Sequence, residues 1–175
     1  MKVRRIVIIS LLAALAAVIA VSLIYAVAAV NAAKETCGKY MAIRSKSVLP
    51  PEYCFENENL TIDDQTLNEL IGSLCAEAAA FTTDTGLERY KSTVTRMLRQ
   101  QADKEYTVSR REIEVKEWTR FKFVAIDEIE ITLAVEERVT LYRPIDGVIS
   151  RDPYDTTVSD YIFTVRNVAG SWRIT

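Results

Sequence analysis

Three kinds of hydrophobic spacing follow one another along the chain, and each predicts a different element. The first is continuous: Ile6 to Ala33 is a run of 28 residues without a charged side chain. As a helix it would rise about 42 Å at roughly 1.5 Å per residue, more than the ~30 Å of a bilayer's hydrocarbon core, so the segment is long enough to span. A secretory signal carries an apolar core of only about 7 to 15 residues, which favours an uncleaved anchor here. Ala26-Val27-Ala28 nevertheless has the small-residue pattern that a signal peptidase accepts. Lipidation of Cys37 is disfavoured because Lys34-Glu35-Thr36 directly precedes it. Lys2, Arg4 and Arg5 crowd the short N-terminal flank, and the positive-inside rule then puts residues 1–5 in the cytoplasm and everything after the 6–33 anchor outside. Lys34, Lys39, Arg44 and Lys46 on the far flank weaken that orientation without reversing it.

Residues 34–60 read as a stalk. Their second part, "SVLPPEYCFENENL" over 47–60, has a Pro-Pro pair and polar residues without period, the pattern of an extended connector. The second kind of spacing starts at Thr61. Leu67, Leu70, Ile71, Leu74, Ala78 and Phe81 recur at helical intervals, with Thr61 and Asp64 placed for a capping box. A second box, Thr85 with Glu88, opens a helix whose apolar face is Leu87, Tyr90, Val94, Met97 and Leu98 and which ends near Asp103.

Beyond Tyr106 the period becomes two, so the chain leaves helix for sheet. Ile113, Val115, Phe121 and Phe123 alternate, and then Val124 and Ile126 take the opposite parity, as a bulge or short turn produces. Ile129, Ile131, Leu133, Val135, Val139 and Leu141 share odd parity with only Glu137 interrupting, while Glu130, Thr132, Glu136, Arg138 and Thr140 face the other way. One buried and one wet face favour antiparallel pairing. "RPIDGVISRDPYD" predicts a long loop, and "TTVSDYIFTVRNV" and "SWRIT" predict strands joined by the tight turn "NVAGS", for four or five strands in all. Helices followed by antiparallel strands make an α+β fold over 61–175, with helices packed on a curved sheet.

Composition narrows the chemistry. About 130 residues remain beyond the first 46, enough for one domain with a real core. The net charge of −2 conceals a segregation, with seven bases and one acid over 1–46 and nine acids and no base over 47–88. No overall basic surface exists in the folded part, which speaks against nucleic-acid binding; Arg96, Arg99, Lys104, Arg110 and Arg111 read as a solvated helix face running into a strand. The chain has no histidine, and its three cysteines have neither CxxC nor metal-ligand spacing, so no metal or other cofactor is expected. Cys75 falls on an apolar helix face, leaving Cys37 and Cys54 as a candidate disulfide outside the membrane, with three reduced thiols as the alternative.

The pattern "IDEIEITLAVEERVTLY", then "DYIFTVRNVAGSWRIT" with its closing Gly-x-Trp-x-Ile, resembles the nuclear-transport-factor-2-like (cystatin-like cone) superfamily over about 115 residues. An anchor ahead of such a domain looks like two kinds of envelope protein: the bitopic subunits of type IV secretion and conjugation machines, and the Mce-associated membrane proteins. Enzymes of the cone type use an Asp-His or Tyr-Asp set. Without histidine, Asp127, Asp155 and Asp160 remain, and all three read as solvated carboxylates. Cys75 lacks an activating base, and the five glycines form no phosphate loop. Tyr90, Trp118, Phe121, Phe123, Tyr161, Phe163 and Trp172 either fill the cone as core or line a pocket for an apolar ligand. Asn59-Leu60-Thr61 has the form of a glycosylation sequon, a chance tripeptide more often than a used one. The expectation is a non-enzymatic, membrane-anchored assembly protein that contacts other envelope proteins and, as a further option, itself. The alternative is a tethered small-molecule-binding domain.

Overall fold

The apolar run does not end in a stalk. In the computed structural model, which describes residues 2–54, 61–146, 148–151 and 155–175, a single helix α1 covers Lys2–Ser45. Its length is about 66 Å at roughly 1.5 Å per residue, and its two halves meet different surroundings. From Val7 to Ala28 nearly every side chain is exposed, and this part is long and apolar enough to cross a membrane. From Ala29 onward one face turns inward, with Ala29, Ala33, Cys37 and Met41 buried at four-residue spacing. The expected stalk is therefore helix and core as far as Ser45. Glu35 and Lys39, which look like the start of a linker, form an i,i+4 ion pair at 2.5 Å on the outer face of the same helix.

The connector is packed as well. Ser47 and Leu49 are buried, and Gln101, itself fully buried, holds this segment by donating to the Ser47 carbonyl at 3.4 Å while its Oε1 accepts from the Leu49 amide at 3.4 Å. A short 3₁₀ turn at Pro51–Tyr53 follows. The rest of the expected stalk, 55–60, and with it Asn59 and Leu60 of the sequon, lies outside the described residues.

Helices α2 (Asp64–Ala79) and α3 (Asp84–Ala102) form the expected pair. Each cap sits two residues from the predicted one, Asp63 in place of Thr61 and Thr83 in place of Thr85. Asp63 accepts from the Thr66 amide at 2.8 Å, and Thr83 accepts from the Gly86 amide at 3.3 Å, because a cap is decided by which oxygen reaches the free amides of the first turn. Leu67, Ile71, Leu74, Ala78, Tyr90, Val94 and Leu98 pack together with Ile43 of α1 and Leu49.

Among the described residues five antiparallel strands follow: β1 (Thr107–Ala125), β2 (Glu128–Ile145), β3 (Val148–Arg151), β4 (Asp155–Val168) and β5 (Ser171–Ile174). The order is β1-β2-β4-β5, with β3 pairing the far end of β2. Register shifts at Val108/Arg110, Val115/Glu117, Trp118/Arg120 and Phe123/Ala125 bend β1, and such bulges increase local twist. The sheet curls into a half-barrel, the general form of a cone. The parity switch after Phe123 is the last of these shifts. Part of the expected loop after Tyr142 is instead β-ladder, from Tyr142↔Arg151 to Ile145↔Val148. The "NVAGS" turn is present, with Ala169 and Gly170 at φ 51° and 88° and the Asn167 side chain accepting from the Gly170 amide at 2.9 Å.

The central strand supplies Ile129, Ile131, Leu133 and Val135, all fully buried, each worth about 1.5–3 kcal/mol of burial. They face the inner half of α1 together with Phe163, Val165, Trp172 and Ile174. Thr36 of α1 donates to the Trp172 carbonyl at 3.1 Å. Strand β5 is held from its other side too. Its Ile174 amide donates to the Phe81 carbonyl at 2.9 Å and its Ile174 carbonyl accepts from the Thr83 amide at 2.8 Å. Gly86 lies so close that a Cβ there would stand 2.4 Å from the Ile174 oxygen, which only glycine avoids.

Because α1 is both exposed helix and core element, two truncations should behave differently. A chain starting at Ala29 keeps the buried stripe and is expected to give native circular dichroism and a cooperative thermal transition. A chain starting at Lys46 loses Ala29, Ala33, Cys37 and Met41 from the concave face and is expected to aggregate or remain unfolded. Equal, cooperative melting of both would refute the core role of α1.

Candidate functional site

The seven aromatic residues do not converge on one cavity. Tyr90, Phe163 and Trp172 are buried in the cores, and the centre of the aromatic arrangement is Tyr40 of α1. Its ring lies edge-on to Tyr90 at 5.5 Å and to Phe163 at 5.6 Å, and Phe163 stacks on Tyr161 at 6.3 Å. Of the two readings of these aromatic residues, core or pocket lining, the inner half of α1 occupies the space that a pocket would need. Trp118 is half-buried, with the Lys34 ammonium 5.6 Å from its ring centroid. Phe121 and Phe123 lie apart from the others, at the β1–β2 hairpin.

The parity exception Glu137 has a structural explanation. Its carboxylate faces inward and lies 2.9 Å from Arg111 Nε, the two side chains being 8% and 14% exposed. The Arg111 N–H points off this line, so the contact is an ion pair more than a hydrogen bond; Arg111 donates instead to the Ser47 carbonyl at 3.3 Å. Tyr161 donates to Glu137 at 3.4 Å, and the Arg44 guanidinium from the last turn of α1 sits 4.9 Å from the Tyr161 ring centroid. Burial pushes the pKa of Arg111 down, the Glu137 carboxylate opposes that, and the like charge of Arg44 adds to it. Arg111 is therefore not part of a solvated basic face, contrary to expectation. Arg110 is, paired with Glu112 on the wet side. There Lys116 bridges Glu114 and Glu136 at 2.7 and 2.9 Å, and Arg138 also meets Glu136 at 2.5 Å, a balanced ladder in which exposed pairs contribute about 0–1 kcal/mol each.

Cys37 and Cys54 are not bonded to each other; both are thiols. Cys37 faces the sheet from α1, whereas the Cys54 thiol lies 3.9 Å from the Pro50 carbonyl and 4.0 Å from the Val108 carbonyl. The helical course of α1 carries Cys37 into the core and away from the loop on which the pairing was premised. Burial pushes its pKa up to about 12. Burial also raises that of Cys75, which is half-buried on α2. Asp127 and Asp160 are exposed; the side chain of Asp155 lies outside the described residues.

The remaining feature is an apolar hairpin end beside the exposed half of α1. Ile126 is 80% exposed and Phe121 and Val124 are each 52% exposed. Phe121 and Phe123 meet edge to face at 6.4 Å. The Tyr25 hydroxyl of α1 donates to the Ile126 carbonyl at 3.0 Å. Between helix and hairpin lie two open apolar recesses. One, of about 470 Å³, is lined by Val21, Tyr25, Phe123 and Ile126 among others. The second, of about 430 Å³, includes Leu23, Val27, Val30 and Phe121. The pattern Phe-x-Phe-Val-x-Ile was visible in the sequence, but its position beside Tyr25 was not.

No protein-family model matches the chain, and no curated protein sequence does. Among solved structures, the intermembrane-space region of the chloroplast protein ARC6 is similar at 12% identity, with 82% of this chain and 89% of that one covered and a TM-score of 0.46. At that level of likeness nothing is transferred from it to particular residues or to function.

Two measurements test the buried groups. Replacing Glu137 by Gln leaves Arg111 and Arg44 without their carboxylate and is expected to destabilise the domain by about 3–5 kcal/mol in denaturant titrations; the Arg111→Leu/Glu137→Leu pair should cost less than the sum of the single changes. Cys37 and Tyr90 both have pKa values pushed up to about 12 by burial, against about 8.5 and 10 in an unfolded chain. In that window the unfolded chain releases protons that the folded one keeps, so stability is full below the lower values and falls as pH rises. The denaturation midpoint should hold to about pH 8 and then decline, less steeply in Cys37→Ala; a flat profile to about pH 11 would contradict the burial of both groups.

Proposed function

We propose that this chain is a single-pass, membrane-anchored, non-enzymatic assembly protein of a cell-envelope complex of the secretion, conjugation or transport type. In this reading the N-terminus is cytoplasmic, the half-barrel domain lies on the opposite side, and the domain is a member of the nuclear-transport-factor-2-like cones. The observation that carries it is the continuity of α1. An exposed apolar helix runs into the core of the domain without a break. A domain attached in this way has little freedom to swivel, so its contact surfaces face neighbours in a constant direction. Confinement to one plane raises the effective concentration of partners and of further copies, so that weak contacts suffice. The curled sheet around a helix supports the cone assignment, and the filling of its concave face by Tyr40 and its neighbours favours assembly over ligand capture.

Site-specific photo-crosslinking in cells tests this. A crosslinker at exposed Val158 of β4 is expected to give discrete adducts with another envelope protein or with a second copy. Exchanging residues 1–28 for a cleavable export signal should reduce those adducts by about 10²-fold or more, the order by which tethering raises association. A full-length protein that gives no adduct at Val158 or at other exposed sheet positions, or an anchor exchange without effect, would overturn the proposal.

A further inference from the structure

We infer that the end of the β1–β2 hairpin is seated in the lipid headgroup and upper acyl region of the leaflet from which α1 emerges, making a second, non-spanning membrane attachment. The inference rests on reading α1 as the anchor. A hydrocarbon core of ~30 Å takes about 20 helical residues. Counted from Ile6, the first residue beyond the basic flank, that length ends at Tyr25. Tyrosine at that level is in its favoured interfacial position. Its hydroxyl is bonded to the Ile126 carbonyl, so the hairpin end stands at the same depth. The recess beside it is lined by Val21 as well as by Phe123 and Ile126, so the hairpin end overlaps the final turn of the span.

The chemistry of the hairpin fits that place. Phe121, Val124 and Ile126 are large apolar side chains that the protein itself leaves exposed, grouped at the end of the sheet that lies beside the exposed half of α1. They are continuous with the exposed apolar surface of α1 across the two recesses, which in a bilayer would be filled by acyl chains. Arg120 and Lys122 are exposed beside them and have the reach to extend their charged ends to lipid phosphates. The acids of the turn do not oppose the arrangement. Glu128 is paired with Arg166, and Asp127 is exposed at the tip, within reach of the hydrated headgroups.

The test uses the full-length Cys75→Ser protein in nanodiscs of phosphatidylcholine and phosphatidylglycerol at high lipid-to-protein ratio, with an environment-sensitive fluorophore on Ile126→Cys. Val124→Cys serves as a second tip position, Val148→Cys as a position at the opposite end of the sheet, and Leu15→Cys as a position inside the span. Labels at 126 and 124 should be blue-shifted, quenched by lipids with a nitroxide near the ester end of the chain, and reduced by dithionite on the order of tenfold more slowly than the label at 148. If 15 is lipid-quenched while 126 and 124 react like 148, the hairpin inference is overturned and the anchor stands. If 15 is not quenched, the anchor itself is refuted, and the hairpin inference with it. Tip protection that disappears on diluting the protein in lipid would also overturn it, by identifying a second copy as the covering partner.

Discussion

The packing of Ala29, Ala33, Cys37 and Met41 against the concave face of the sheet is the contact on which the remaining architecture depends. A helix satisfies its backbone hydrogen bonds internally, so it can pass from an apolar environment into a protein core without rearrangement. Here the same helix does both, with only its exposed face changing character. Small residues at Ala29 and Ala33 allow close approach to the strands, and β2 presents a row of branched aliphatic side chains to meet them. Neither partner has another apolar surface of the same extent to turn to: the half-barrel would otherwise face water with Ile129, Ile131, Leu133 and Val135.

The far end of this contact is polar, and its position is informative. Arg44 closes α1 just where Arg111 and Glu137 meet, with Tyr161 between them. Two guanidiniums and one carboxylate are costly to remove from water, and an apolar cluster would in general be at least as stable. What the cluster does supply is register. Glu137 can meet Arg111 in only one alignment of β1 on β2, and a slip by a single residue would move every inward side chain to the wet face. The helix is therefore located at its exit by apolar packing along its length and by charge at its end.

With α1 read as the proposed anchor, a domain whose core includes that helix differs from one on a flexible tether. On the proposed reading, its orientation relative to a bilayer would follow from the helix, and the parts of the sheet nearest the membrane would be determined with it. The β1–β2 hairpin is brought beside Tyr25, while the β2–β3 end lies at the opposite end of the sheet. The apolar hairpin end and the ladder of balanced charge thereby lie on different parts of the sheet.

Periodicity alone was enough to read the apolar run, the helical pair, the switch to strands after Tyr106, the inward parity of β2 and the tight turn before Ser171, because each depends on residues close together in sequence. The break of parity at Phe123 was also legible, as was Glu137 as an exception, although its partner was not. The fate of residues 34–45 was decided only by the tertiary structure. Lys34, Glu35 and Lys39 suggest a linker until a sheet more than 80 residues later supplies the surface that buries their neighbours on the opposite face. The same holds for Cys37, whose role follows from which side of α1 it occupies, and for the aromatic residues, which the sequence alone allows as either core or pocket lining and of which Tyr90 and Phe163 meet Tyr40 while Phe121 and Phe123 lie at the hairpin. Local sequence specifies which face of an element is apolar; what covers that face is settled by long-range packing, and here the covering element was the protein's own first helix.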